Sequence, residues 1–154
     1  MNPPDVEVLI TQLDPELPPP AYENPGDAGL DLRTREHITL APGARASVPT
    51  GVSLALPRGY VGLVCPRSGL AMRSGLGLVN GPGVIDAGYR GEICVILINH
   101  DLSETILLER GDRIAQLLVM PIAAVRLVAV ESLPGSHRGA AGFGSTGGFR
   151  GPGT

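Results

Sequence analysis

The sequence predicts an all-β domain, built as a sandwich, jelly roll or barrel. Short apolar segments of strand character recur along the chain, and Gly and Pro turn signals separate them at regular intervals. No long window sustains a helical period, and the best helical candidate is one or two turns at Ser68–Ser74, directly after Pro66.

The segments follow in order. Val6–Leu13, Ala44–Pro49, Val52–Leu56, Tyr60–Cys65, Glu92–Asn99, Thr105–Glu109, Arg113–Met120 and Val125–Glu131 all read as strands. Val52–Leu56 alternates almost strictly, as a half-buried strand does, whereas Ile93–Ile98 is apolar throughout and predicts a strand covered on both faces. Turn signals fall between them at Asp14-Pro15, Asn24-Pro25-Gly26, Pro42-Gly43, Pro49-Thr50-Gly51, Pro57-Arg58-Gly59, Gly81-Pro82-Gly83 and Arg110-Gly111-Asp112. Ser132–Thr154 is different: it is Gly-rich, and only Leu133, Phe143 and Phe149 are large and apolar. It cannot bury enough surface to offset its ordering entropy, so residues 1–131 are expected to form the domain and 132–154 a flexible arm or spent tail.

Composition narrows the function. The 154 residues, 43% of them hydrophobic, suit one domain with one core. The longest apolar runs, such as Ile114–Met120, are too short to cross a bilayer, so no membrane partner is expected. Met1–Asp5 carries no signal-peptide pattern, and Cys65 and Cys94 form no CxxC; two reduced thiols in a cytoplasmic protein are expected. A net charge of −3 argues against a general nucleic-acid surface. The chain has no lysine, which excludes a Walker A loop and leaves phosphate binding to Arg forks, backbone N–H groups and a metal. His37, His100 and His137 show no zinc spacing, and no G-x-S-x-G elbow occurs.

Five segments could carry chemistry. In Asp27–Leu32, Asp27 and Asp31 could hold Mg²⁺ through water, orient an Arg, or form turns. Arg67-Ser68-Gly69 follows a strand and opens the helical turn, where an anion is favoured, although an ordinary turn has the same residues. Asn80–Gly91 places Asp86, Tyr89 and Arg90 in a glycine-rich loop, in a chain with three Tyr, two Phe and no Trp. A ring beside a carboxylate suits stacking next to a general base; a hairpin with a capping Asp and an edge-covering Tyr is the alternative. Arg110–Gln116 sets Arg113 and Gln116 at a strand start, with Asp112 available for a salt bridge to an Arg. Arg138–Gly147 offers Arg138, Phe143, Ser145 and Thr146 among glycines, a mix suited to a lid.

Together and in this order, the five segments resemble the five motifs of the trimeric dUTP pyrophosphatase (dUTPase) family, from about Asp27 to Gly147. The resemblance implies a single-domain β jelly roll, a homotrimer with active sites shared between subunits, and a C-terminal arm closing each site. It also implies hydrolysis of dUTP to dUMP and pyrophosphate, which keeps uracil out of DNA and supplies dUMP for thymidylate synthesis. Carried onto matching positions, it makes Asp86 the base that activates the attacking water. Tyr89 would lie under the deoxyribose, and Asn80 would pair with uracil beside the backbone of Val84, Ile85 and Cys94. Arg67, Ser68, Gly69 and Gln116 would hold the phosphates, with Mg²⁺ carried mainly by the phosphates and water. Asp31, near Asp86 or the metal's water shell, and Arg113 would support the site. Arg138, Phe143, Ser145 and Thr146 would close the lid. Val84 departs from the family, where Thr is frequent. A dCTP deaminase shares the fold but would need a further acid–base residue, and a non-catalytic nucleotide sensor would not need Asp86 as a base.

Overall fold

A computed structural model describes residues 5–137 and 139–140. The strands are β1 (Leu9–Gln12), β2 (Leu30–Arg33), β3 (Ile38–Leu40), β4 (Arg45–Ala55), β5 (Tyr60–Cys65), β6 (Leu76–Leu78), β7 (Gly83–Ile85), β8 (Glu92–Asn99), β9 (Ile106–Leu108) and β10 (Arg113–Pro121); one helix, α1 (Ser68–Ser74), lies between β5 and β6. They form two four-stranded sheets, ordered β1-β4-β8-β6 and β2-β10-β5-β7, and a two-stranded ribbon, β3-β9. Every pairing is antiparallel. This is an all-β jelly roll. Among the described residues no helix is long and apolar enough to cross a membrane.

The core lies between the sheets and follows the period-two alternation of their strands. Val48, Val52 and Leu54 of β4, Ile93, Val95 and Leu97 of β8, and Ile114 and Leu117 of β10 are buried together with Leu32, Leu40 and Leu76. Each such side chain contributes about 1.5–3 kcal/mol by leaving water, so the alternation, interrupted at Thr50–Val52 of β4 and at Ile114–Ala115 of β10, fixes the register. β8 corrects one expectation. It is not covered on both faces: Ile93, Val95 and Leu97 are buried, while Cys94 and Ile96 are exposed. Its outward residues are apolar too, so composition concealed the alternation.

Other differences are local. The two segments Ala44–Pro49 and Val52–Leu56 are one strand, β4, whose ladder with β8 breaks between Pro49 and Ser53. Gly51 sits in that break at φ +74, a left-handed conformation that glycine adopts without strain. The chain divides into a unit ending at Ala124 and a second beginning at Val125. Within the second, Val125–Glu131 is not a strand. No neighbour supplies a hydrogen-bond ladder there, and β propensity alone does not sustain an isolated strand.

Candidate active site

The loop Asp86–Gly91 joins β7 of one sheet to β8 of the other. It is therefore a bridge between layers and not a hairpin. Its shape is set internally. The Tyr89 N–H donates to the Asp86 carbonyl at 3.0 Å, and the Arg90 guanidinium donates to the Ala87 and Tyr89 carbonyls, each at 2.7 Å. The Tyr89 hydroxyl donates to the Glu92 carbonyl at 2.9 Å. A Cβ on Gly91 would collide with that hydroxyl, so the glycine admits the ring. Asp86 is left exposed on the lining of a pocket of about 260 Å³.

The same pocket is bordered by Asn80, Val84, Ile85, Tyr89 and Cys94. Two open ladder edges border it as well. β7 is the last strand of its sheet, and β6 pairs with β8 only from Leu97 to Asn99, which leaves the edge beside Cys94 open. Backbone donors and acceptors on such edges are free to pair with a planar polar ligand. Desolvation of the Cys94 thiol, with the neighbouring Glu92 carboxylate, pushes its pKa up and favours its neutral form.

A second pocket, of about 820 Å³, is lined by Arg67, Ser68, Gly69, Gln116, Asp31 and Arg113. Asp31 takes one arginine on each oxygen: Arg67 Nε at 3.4 Å and Arg113 Nη1 at 3.0 Å. Arg113 also meets Glu23 at 2.6 Å, and Arg67 donates to the Arg113 carbonyl at 3.3 Å. The Gln116 amide donates to the Pro66 carbonyl at 3.0 Å, and a Cβ on Gly29 would stand 2.6 Å from its Oε1. Glycine at 29 keeps that side chain in place. Two aligned guanidinium groups, a hydroxyl and an amide suit a chain of phosphates.

The candidate residues thus fall into two groups. Val64 lines the first pocket and Cys65 the second, and as neighbours on β5 they point to opposite faces of its sheet. Asp31 therefore belongs with the arginines and not beside Asp86 of the same chain. Its partner in the first motif, Asp27, is a turn former, accepting from the Asn24 N–H at 2.9 Å. Asp112 likewise takes the Glu109 N–H at 2.9 Å, where a salt bridge to an Arg was the other expectation. Arg138, Phe143, Ser145 and Thr146 lie outside the described residues. Three charged lining residues lie outside the sequence candidates: Glu23, which pairs with Arg113, Arg73, which follows Ser68 by more than a helical turn, and Glu92, directly after Gly91.

A family model described as dUTPase matches residues 16–147. The chain belongs to the dUTPase family. Deoxyuridine 5′-triphosphate nucleotidohydrolase of Streptomyces coelicolor is 60% identical over 146 residues, 95% of this chain and 80% of that one. The protein of the same name from Thermobifida fusca is 57% identical over 143 residues, covering 93% and 80%. Among solved dUTPases, a variant from Staphylococcus bacteriophage 80alpha with dUpNHpp has a TM-score of 0.82 at 31% identity, covering 92% of this chain and 98% of that one. A dUTPase variant from phage phi11 of S. aureus, described as coordinating a structural Mg(II) ion, has a TM-score of 0.77 at 27% identity, covering 84% and 99%.

Proposed function

We propose that this chain, which hydrolyses dUTP to dUMP and pyrophosphate, does so at a site made by more than one copy of itself. The observation that carries this reading is the division of its candidate residues. The pocket with Asp86 and the pocket with Arg67 share no lining residue. One face from each of two subunits supplies a complete set, and a homotrimer closes such head-to-tail contacts into a ring. Residues 1–131 form the catalytic domain in this reading. Residues 132–154 form an arm bringing Arg138, Phe143, Ser145 and Thr146 to a neighbour's site.

At the assembled site, uracil enters the smaller pocket. Asn80 and the open backbone edges at Val84, Ile85 and Cys94 read its polar edge, and Tyr89 lies against the deoxyribose where a 2′-hydroxyl would collide. Arg67, Ser68, Gly69 and Gln116 of the adjoining face align the phosphates, and Asp31 and Arg113 hold the guanidinium groups in place. Asp86 accepts a proton from a water directed at the α-phosphorus; the water oxygen bonds to phosphorus as the bond to the pyrophosphate oxygen breaks.

The residues suit Mg²⁺ carried in by the substrate. Among the described residues no three His, Cys, Asp or Glu side chains converge on a metal position, and both oxygens of Asp31 face arginines. Phosphate oxygens and water would hold the ion, which neutralises triphosphate charge when bound. A cytoplasmic location, where dUTP arises, accords with two unpaired thiols.

Asp86→Asn keeps the shape of the side chain and removes its basicity. Turnover should fall by about 10³-fold while dUTP binding, followed by calorimetry with Mg²⁺, stays within about threefold. An unchanged kcat would remove Asp86 from the role.

A further inference from the structure

Glu92 opens β8 and ends the loop that carries Asp86 and Tyr89. Opposite it, the β4–β8 ladder is broken between Pro49 and Ser53, and side chains replace the missing backbone bonds. The Thr50 hydroxyl, on a residue only 2% exposed, donates to the Ile93 carbonyl at 2.7 Å. The Gly51 N–H donates to Glu92 Oε1 at 2.8 Å. Arg35 Nε lies 3.4 Å from the same oxygen, and the Arg35 N–H donates to the Pro49 carbonyl at 3.1 Å. The other end of Glu92 faces the pocket, where its own carbonyl accepts the Tyr89 hydroxyl at 2.9 Å.

We propose that Glu92 is a positioning residue for sugar discrimination, its carboxylate anchoring the end of the Asp86–Gly91 loop to the β4 bulge and thereby fixing the Tyr89 ring. The proposal rests on Tyr89 facing the deoxyribose. Bulges recur beside active sites because they redirect a strand without a free end. This one is filled by a carboxylate with two donors, a geometry that no neutral aliphatic residue reproduces. Excluding a single hydroxyl requires the ring to hold its place within a fraction of an ångström, and displacements of about 1 Å at reacting groups cost up to about 10²-fold.

The test is the ratio of kcat/KM for dUTP to that for UTP, measured with Mg²⁺ on the full chain, together with melting temperatures. Glu92→Ala should lower the ratio by about tenfold. Glu92→Gln still accepts from Gly51 and should return it to within about threefold of the parent. Glu92→Asp keeps the charge but falls one methylene short, and should stay near the Ala value. A merely structural glutamate would lower the melting temperature and both substrates' kcat/KM together, leaving the ratio fixed, and that result overturns the proposal. If Glu92→Ala does not fold, the Asp and Gln variants decide: a parental ratio in both overturns it. Tyr89→Ala separates the two readings. A lowered ratio there with a parental ratio in the Glu92 variants defeats the anchor alone, whereas an unchanged ratio in Tyr89→Ala defeats the sugar assignment and the anchor with it.

Discussion

At the scale of single residues, Asp31 is an acidic group in the pocket proposed to take the phosphates. Its oxygens meet Arg67 at 3.4 Å and Arg113 at 3.0 Å, and its side chain is 13% exposed. A carboxylate so close to the phosphates would repel them unless its charge were engaged. Here both oxygens are engaged by guanidinium groups, which the proposed function sets against the phosphates. Asp31→Ala should therefore leave the positive charge in place but unaligned, raising KM for dUTP by about tenfold with a smaller change in kcat. Steady-state kinetics decides, and a KM equal to the parent's would show that the arginines are held by other contacts. The sequence placed Asp27 and Asp31 together as a candidate pair. Only the fold separates them, because one caps a turn within its own segment and the other reaches arginines far along the chain. Spacing carries no information on such distant partners.

Length alone did not decide which elements were legible: the longest strand, β4, reads as two segments, while the three-residue β9 falls inside a predicted one. Tyr60–Cys65, Glu92–Asn99 and Ser68–Ser74 emerge with the boundaries the sequence suggests. β2, β3, β6 and β7 are three or four residues long, too short for a period to show, and three of them border the pockets. The sequence marks Asn99 only as the last residue of a strand, yet it is fully buried and joins three segments. Its amide donates to the Leu40 carbonyl at 2.9 Å and the Glu104 carbonyl at 2.8 Å, and its oxygen accepts the Asp101 N–H at 2.9 Å. Asn99→Ala would strand those groups and should cost about 3 kcal/mol, measured by urea unfolding. The adjoining loop adds a pH dependence. Backbone N–H groups of Glu104 and Ser103 hold the Asp101 carboxyl below the usual carboxylate range. A depressed folded value means the stabilisation is complete above the unfolded value, about 3.9, and fades as pH falls through the lower folded one. The melting difference between the parent and Asp101→Asn should be present at neutral pH and shrink progressively below about pH 4. A difference independent of pH would assign the loop's order to other contacts.

At the scale of the whole molecule, the sequence indicated the parts of the site but not their division. Chain order lists Arg67 and Asp86 in neighbouring motifs, whereas the fold sets them in pockets that share no lining residue. No reading of spacing reveals that, because it depends on which sheet each strand joins. Complementation between two inactive variants tests the consequence. Under the proposed shared site, Asp86→Asn copies would retain the phosphate face and Arg67→Ala copies the catalytic loop, so neither variant alone would have a complete site. Co-expressed in equal amounts and assembled at random, they should produce mixed trimers. A site then draws its catalytic loop from one copy and its phosphate face from another, and each draw is intact half the time. About a quarter of the sites should be whole, and activity should recover to about a quarter of the parent's. Sites contained within single chains would recover nothing on mixing, since every copy carries one lesion. Sedimentation of the mixture must show trimers for the recovery to count. A trimer without recovered activity would place both faces of the site on one chain and remove the basis for sharing.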